Sequence, residues 1–301
     1  MLLNVSGISR ALWAVGHCLA KNLKDILSRV ISPSEAEHIS SSYDIVGDIA
    51  IIRLTDVSRK YRLNIAEAIM SVHQNVKTVL AQAGAVHGDF RICKFEYVAG
   101  EKKTVTTHVE SRCAFSVDVS KCYFSPRLAY ERMRVAKQVQ IGEVVVNMFA
   151  GVGCFSLLIA RYSNASKVYS IDFNPDAFQF MQKNIRLNGA YGKVIPMFGD
   201  AKEVIEARLR HVGDRVLMPL PEKAYGYLSY ALSALKKAGG WIHYYDFEHS
   251  RKGEDPVDKV RLKVAQKLAD LHVAFEFPFG RVVRSTGPNW YQVALDIAVE
   301  G

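Results

Sequence analysis

Cysteine is scarce in this sequence, and no pattern puts it to use. Cys18, Cys93, Cys113, Cys122 and Cys154 are an odd set of five with no C-x-x-C spacing. That argues against a disulfide frame and against a metal site, and it fits reduced thiols in a cytoplasmic enzyme. No apolar run is long enough to cross a membrane. Arg10, His17 and Lys21 interrupt the first residues, which therefore do not form a clean secretion signal. There is no internal repeat and no low-complexity tract. What remains is an ordinary globular composition, 301 residues with 49% hydrophobic and 23% charged, enough for two domains. The net charge of +9 suits a polyanionic partner without requiring one.

The chain is organised around Val144 to Ala160. Three consecutive valines, Val144 to Val146, read as a buried strand. Phe155, Leu157, Leu158 and Ile159 read as the apolar side of a helix. Between them lies Ala150-Gly-Val-Gly153, a turn in which glycines let the backbone bend tightly and a ligand approach. The helix then starts with free N–H groups facing that ligand. The next strand, Lys167–Ile171, ends in Asp172, about twenty residues on, where nucleotide-binding folds place an acid for ribose hydroxyls. The turn lacks the third glycine of the dinucleotide fingerprint, and no Walker lysine follows. S-adenosylmethionine therefore fits better than NAD or ATP.

The remaining segments support two domains behind a helical start. Residues 1–40 read as a basic helical segment with apolar positions at Ala11, Leu12, Val15, Leu19 and Leu23. Pro33 breaks it, and Ser34 with Glu37 makes a capping pair. Residues 41–122 read as a small α+β domain. Its strands are expected at Tyr43–Leu54 (a pair, or one strand bulged at Gly47-Asp48), Lys77–Ala81, Phe90–Val98, Thr104–His108 and Ala114–Val119, with a helix over Ile65–His73. Residues 123–301 read as the larger domain. A helix opens at Pro126 and bridges to it, and strands and helices then alternate to the C-terminus. Gly239-Gly240 is expected to close the helix that follows Pro221. Val273–Phe277 and Tyr291–Val299 are expected to form a closing antiparallel hairpin. The alternation predicts an α/β, doubly wound sheet with ligands at the C-terminal strand ends, where Asp172, Asp200 and Pro219 all fall. Asp200 reads equally as an adenine contact or as a helix N-cap.

Several ordered segments resemble one family. They are Tyr43-Asp-Ile-Val-Gly-Asp48, Ala99-Gly-Glu101, Tyr123-Phe-Ser-Pro-Arg127 with Glu131-Arg132, Met148-Phe-Ala-Gly-Val-Gly153, and Ile242-His-Tyr-Tyr245. Together they look like the archaeal and eukaryotic tRNA guanosine-37 N1-methyltransferases, from about residue 22 to the C-terminus. The resemblance implies a class I S-adenosylmethionine methyltransferase fold (Rossmann-like) preceded by a tRNA-contacting domain. It also implies a monomer acting on the anticodon loop of tRNA.

Three positions carry over as the chemical core. Arg91 matches the arginine that supports charge on O6 of the target guanine. Glu131 matches the general base that takes the N1 proton. Pro219 stands where these enzymes usually have asparagine. Guanine N1 is a poor nucleophile until its proton is removed, and a fixed guanidinium stabilises the charge that then spreads to O6. Without the resemblance, Arg91 and Glu131 read equally well as an ion pair between domains. For the cofactor, Met148, Phe149, Ala150, Gly151 and Gly153 are assigned to the methionine end. Asp172 and Phe173 are assigned to the ribose, and Asp200 with Ala201 to the adenine. Arg132 and Tyr123 fall where the bridging helix meets cofactor and target. Arg134 and Lys137 are candidates for tRNA phosphates or for a solvated helix face.

Two departures sharpen the expectation. Proline has no side-chain amide to orient a base. A proline at 219 looks like the archaeal branch that methylates C7 of 4-demethylwyosine, the tricyclic derivative of N1-methylguanosine in tRNAPhe, besides or instead of N1. Second, only about twenty residues precede the matched region. The extra domain that grips the tRNA elbow in many archaeal members is therefore expected to be absent, leaving tRNA binding to the remaining basic surface. The alternatives are a wyosine-pathway transfer of 3-amino-3-carboxypropyl and a noncatalytic tRNA-binding protein.

Overall fold

A computed structural model of the chain describes residues 23–28, 31–32, 35, 42–84, 88 and 90–301. Most of the basic segment, including Arg10, Lys21, Cys18 and the Ser34–Glu37 pair, lies outside the described residues.

The first part contains α1 (Leu23–Leu27), β1 (Tyr43–Val46), β2 (Ile49–Ile52), α2 (Asp56–Arg59), α3 (Arg62–Val72), β3 (Thr78–Gln82) and β4 (Phe95–Gly100). Its four strands form one sheet in the order β1-β2-β3-β4. Tyr43–Leu54 is thus a pair, with β1 and β2 antiparallel about Gly47. Ile65, Ala66, Ala68 and Ile69 of α3 pack with Leu23 and Leu27 of α1 on this sheet. The strand expected over Phe90–Val98 starts only at Phe95. Arg91 sits at φ 54°, a left-handed conformation that a strand does not accommodate, so residues 90–94 turn before the chain extends.

The hairpin of β5 (Val105–Glu110) and β6 (Cys113–Asp118) stays outside that sheet. It packs on the larger unit. A short 3₁₀ turn, Pro126–Leu128, then feeds α4 (Ala129–Gln138). The alternation continues through β7 (Val144–Asn147), α5 (Cys154–Tyr162), β8 (Lys167–Asp172), α6 (Pro175–Leu187), β9 (Val194–Phe198), α7 (Ala201–Val204, extended by a π turn to Leu209), β10 (Arg215–Met218), α8 (Pro221–Ala234), β11 (Gly239–His249), α9 (Pro256–Asp270), β12 (Phe275–Gly287) and β13 (Trp290–Glu300).

These seven strands form one sheet, β12-β13-β11-β10-β7-β8-β9. The strands from β11 through β10, β7 and β8 to β9 run parallel, and β13 pairs antiparallel with both β11 and β12. Strand order reverses between β7 and β10, which opens a crevice at their C-terminal ends. One core joins the sheet to α7, α8 and α9 through Leu209, Leu228, Val260 and Leu268. The other joins it to α4, α5 and α6 through Val135, Leu158 and Ile185. Helices therefore cover both faces, as the alternation predicts.

Local chemistry sets the element ends. Asn174 accepts from the N–H groups of Asp176 and Ala177 at the start of α6, and Pro175 fills the first helical position. Asn184 on α6 and Asn188 at its C-cap bond both backbone groups of Ser116 and Ala114, fixing the hairpin to the helix. The helix expected to close at Gly239-Gly240 instead ends at Ala234. Gly239 opens β11, because a Cβ there would lie 2.2 Å from the Val299 carbonyl oxygen on β13. Apolar contacts join the two units through Val46, Ile49, Leu80, Val119, Cys122, Val152 and Ala177.

Candidate active site

The crevice holds a cleft of about 830 Å³, part of it open to solvent, built from the ends of four strands. Met148 and Phe149 follow β7, Asp172 ends β8, Gly199 and Asp200 follow β9, and Pro219 and Leu220 follow β10. Phe90 and Arg91 reach in from the smaller unit, and Phe90 packs against Phe173 at 4.9 Å between ring centroids.

Asp172 is the polar centre. Its carboxylate accepts from the Gly151 N–H at 2.6 Å and the Asn174 N–H at 3.0 Å. Burial pushes its carboxyl above the usual carboxylate range, and the two backbone N–H bonds work against that shift. Gly151 has φ 56°, and a Cβ built on it would meet no atom within 4 Å. That open space faces the cleft, so the backbone is free for a ligand to approach. Asp200 takes the capping role that the sequence offers and lies at the cleft. Its carboxylate caps α7 by accepting from the Lys202 N–H, also accepts from the Tyr227 hydroxyl, and borders the cleft. A buried acid on amide hydrogens, an open glycine turn, aromatic walls and a second acid fit a nucleoside with ribose hydroxyls to donate. Of the assigned cofactor residues, Tyr123, Met148, Phe149, Gly151, Asp172, Phe173, Asp200 and Ala201 line the cleft. Ala150 and Gly153 do not. Ala150 is buried in the core, and Gly153 caps α5 against Met181.

A second recess, about 1060 Å³ with solvent included, adjoins the first and shares Arg91 and Tyr123 with it. The Arg91 guanidinium lies 4.0 Å from the Tyr123 ring centroid and 5.8 Å from that of Phe247. Arg284 fixes the Tyr123 hydroxyl at 2.9 Å while bonding Ser125 and Gln292. The Arg91 Nε–H is buried and has no hydrogen-bond partner among the described residues. Glu222, in the first turn of α8, is the nearest charge, with Oε1 3.3 Å from that Nε. Arg91 is thus held in a left-handed conformation between the two cavities with one donor unpaired among the described residues.

Glu131 and Arg132 are not brought to either cavity. Glu131 is 1% exposed and accepts from Arg134 at 2.7 Å and from the Tyr245 hydroxyl at 2.8 Å. Arg132 is equally buried and pairs with Glu110 and the Ser125 carbonyl. In this geometry, assigning Arg132 to the cofactor is corrected to a structural pairing. The Arg91–Glu131 ion pair between domains is not formed either. Arg134, a phosphate candidate, is spent on Glu131 and Asp296, whereas Lys137 is exposed. Sequence reasoning missed Phe90, Glu222, Tyr227, Phe247 and Arg284. Glu222 had a legible signal, since it lies three residues beyond Pro219 at a strand-to-helix turn.

The sheet and cleft together define a class I S-adenosylmethionine methyltransferase fold. Residues 106–273 match the TRM5/TYW2 methyltransferase domain, and residues 23–104 match the TYW2 N-terminal domain. The chain belongs to the TRM5/TYW2 methyltransferase family. It is 40% identical to the tRNA (guanine(37)-N(1))-methyltransferase Trm5b of Pyrococcus abyssi over 87% of this chain and 76% of that protein. It is 38% identical to the tRNA 4-demethylwyosine(37)-methyltransferase Taw21 of Saccharolobus solfataricus over 91% and 99%. It is 34% identical to a tRNA(Phe) (4-demethylwyosine(37)-C(7)) aminocarboxypropyltransferase of Pyrococcus horikoshii over 74% and 78%. Among solved structures, a complex of aTrm5 with tRNALeu has a TM-score of 0.80 at 35% identity, covering 94% of this chain and 79% of that one. TYW2 of P. horikoshii in complex with MeSAdo has a TM-score of 0.74 at 29% identity, covering 92% and 98%.

Proposed function

We propose that this protein is an S-adenosylmethionine-dependent tRNA methyltransferase acting in the anticodon loop, at position 37 of tRNAPhe. The proposed products are N1-methylated guanosine, C7-methylated 4-demethylwyosine, or both. The observation that carries this reading is the pair of joined cavities, one suited to a nucleoside cofactor and one lined by rings and cations. A base extruded from an RNA loop takes that kind of surface by stacking and charge. The relatives that act on tRNA position 37 support the same assignment. The net charge of +9 suits the RNA backbone.

The cofactor would sit against Met148, Phe149 and Gly151, with Asp172 accepting from its ribose and Asp200 facing its adenine. Bound there, it supplies an electrophilic methyl group on a sulfonium. The protein supplies position and charge. Asp172 and the Gly151 turn orient the nucleoside, and Phe90 and Phe173 pack together where they line the cleft. Arg91 stabilises negative charge on the purine O6. Pro219 offers no amide to hold a plain guanine edge, which leaves the tricycle unopposed. For Glu131 to take a proton, its carboxylate must first leave Arg134 and Tyr245.

Transfer of an aminocarboxypropyl group is the second reading, favoured by the match of residues 23–104 to the TYW2 N-terminal domain. One experiment separates the readings. The purified protein and S-adenosylmethionine are incubated with tRNAPhe carrying guanosine or 4-demethylwyosine at position 37, and the nucleosides are read by mass spectrometry. A methyl increment on either RNA supports the proposal. An aminocarboxypropyl increment supports the second reading, and no increment on either RNA overturns both.

A further inference from the structure

We infer that Glu222 is the specificity-determining carboxylate of the recess, reading the N–H edge of guanine beside the O6 that Arg91 holds. This rests on the reading of the recess as the target-base site.

Three observations carry it. First, Glu222 and Arg91 stand side by side, with Oε1 and Nε 3.3 Å apart, and Glu222 borders the same recess as Phe247 and Arg284. Guanine presents an O6 acceptor next to its N1–H and 2-amino donors. An arginine next to a glutamate is the matching donor–acceptor pair. Second, the pair is incomplete as it stands. The Arg91 Nε–H is buried without a hydrogen-bond partner among the described residues, so it has bonding capacity left for an acceptor. Third, Glu222 is available where Glu131 is not. Its side chain is 46% exposed at the first turn of α8, whereas Glu131 is 1% exposed and held by Arg134 and Tyr245. Pro221 and Glu222 also follow directly on Pro219 and Leu220, so the carboxylate comes three residues after the position that lacks an amide, with Pro219 on the first cleft and Glu222 on the adjoining recess.

The consequence is selective. In N1-methylguanosine and in the tricycle derived from it, N1 already carries carbon and has no hydrogen to donate. A carboxylate facing that edge therefore helps guanosine and gives the tricycle nothing. Glu222 would restore part of the guanine selection that Pro219 gives up.

The test compares wild type, Glu222→Gln and Glu222→Ala on tRNAPhe bearing guanosine or 4-demethylwyosine at position 37. The readout is the ratio of kcat/KM for the two RNAs. If the wild type turns over only one RNA, the ratio is read from competition binding in the presence of S-adenosylmethionine. A site that loses the carboxylate facing a substrate donor loses on the order of tenfold on that substrate. Glu222→Ala should thus lower the guanosine-to-tricycle ratio by about that factor, with Glu222→Gln losing less; both variants leave Arg91 without its nearest charge and lower the unfolding temperature somewhat, which the ratio of the two RNAs does not register. Equal losses on both RNAs, or no change in the ratio, overturn the role of Glu222. Failure of the wild type to modify either RNA overturns the function itself, and so is distinguishable.

Discussion

Tyr245 donates its hydroxyl hydrogen to Glu131 at 2.8 Å, across 114 positions of sequence. One end of this contact lies on β11 and the other on α4, so it ties the bridging helix to the sheet. Arg134 bonds the same carboxylate and also Asp296, and Asp296 accepts from Gln138 and His243. His243 takes a hydrogen bond from Arg215 on its Nε2, which leaves Nδ1–H to donate to Asp296. The resemblance segments Glu131-Arg132 and Ile242-His-Tyr-Tyr245 thus meet in one buried polar network.

Removing the Tyr245 hydroxyl tests the network directly. Tyr245→Phe keeps the ring and leaves Glu131 with Arg134 alone. The expected loss of stability is about 1–2 kcal/mol by denaturant unfolding. An unchanged midpoint would mean that the bond contributes nothing net.

Acid should weaken the same region. Against the effect of burial, hydrogen bonds from His243 and Arg134 and the charge of Arg134 hold the Asp296 carboxyl well below the usual carboxylate range. The unfolded chain then binds that proton more readily. Its contribution is fully present above the ordinary carboxylate pKa of about 4 and is lost as pH falls through the lower folded value. Burial pushes His243 below its ordinary value, so it resists protonation when folded, and this begins to count as pH drops below about 6.5. Both effects have the same sign. Unfolding temperature should fall with acidification, and Asp296→Asn should start lower at neutral pH and show a shallower fall below pH about 4. Parallel pH profiles would sink the assignment.

Asp172 should matter for cofactor binding more than for stability. A carboxylate that accepts from ribose hydroxyls makes charge-assisted bonds, each worth about 1.5–3 kcal/mol. Asp172→Ala should weaken S-adenosylmethionine binding about tenfold to a hundredfold by calorimetry. Unaltered affinity would move the ribose elsewhere in the cleft.

Pro219→Asn restores an amide at the end of β10. It should raise methyl transfer to guanosine relative to 4-demethylwyosine by several-fold or more, since an amide can hydrogen-bond a plain guanine edge. A fall on both substrates would show that proline serves the backbone turn and not selection.

Much of this was legible in the sequence because it was periodic or local. The valine run, the glycine turn and Asp172 needed only strand, turn and acid in order, and the cleft assembles on them. The small domain was legible as α+β, but the start of β4 was not. The left-handed Arg91 displaces it, and nothing in side-chain pattern foretells a positive φ at an arginine. The partners of Glu131, Arg132 and Arg134 were not legible for a different reason. Charged residues on a helix read as exposed, and their burial depends on partners as remote as Glu110, Tyr245 and Asp296. Spacing carries no information about partners so far away.

The two asparagines at the C-terminal end of α6, Asn184 within it and Asn188 as its cap, do more than fasten the hairpin. Positions four apart on a helix rise about 6 Å, and positions two apart on a strand advance nearly the same distance. Asn184 and Asn188 therefore meet Ser116 and Ala114 as a neighbouring strand would, each giving one donor and one acceptor. An unpaired strand border is a template on which other chains can grow. Here side-chain amides occupy that border, so a two-stranded ribbon can persist at the junction of the domains without inviting self-association.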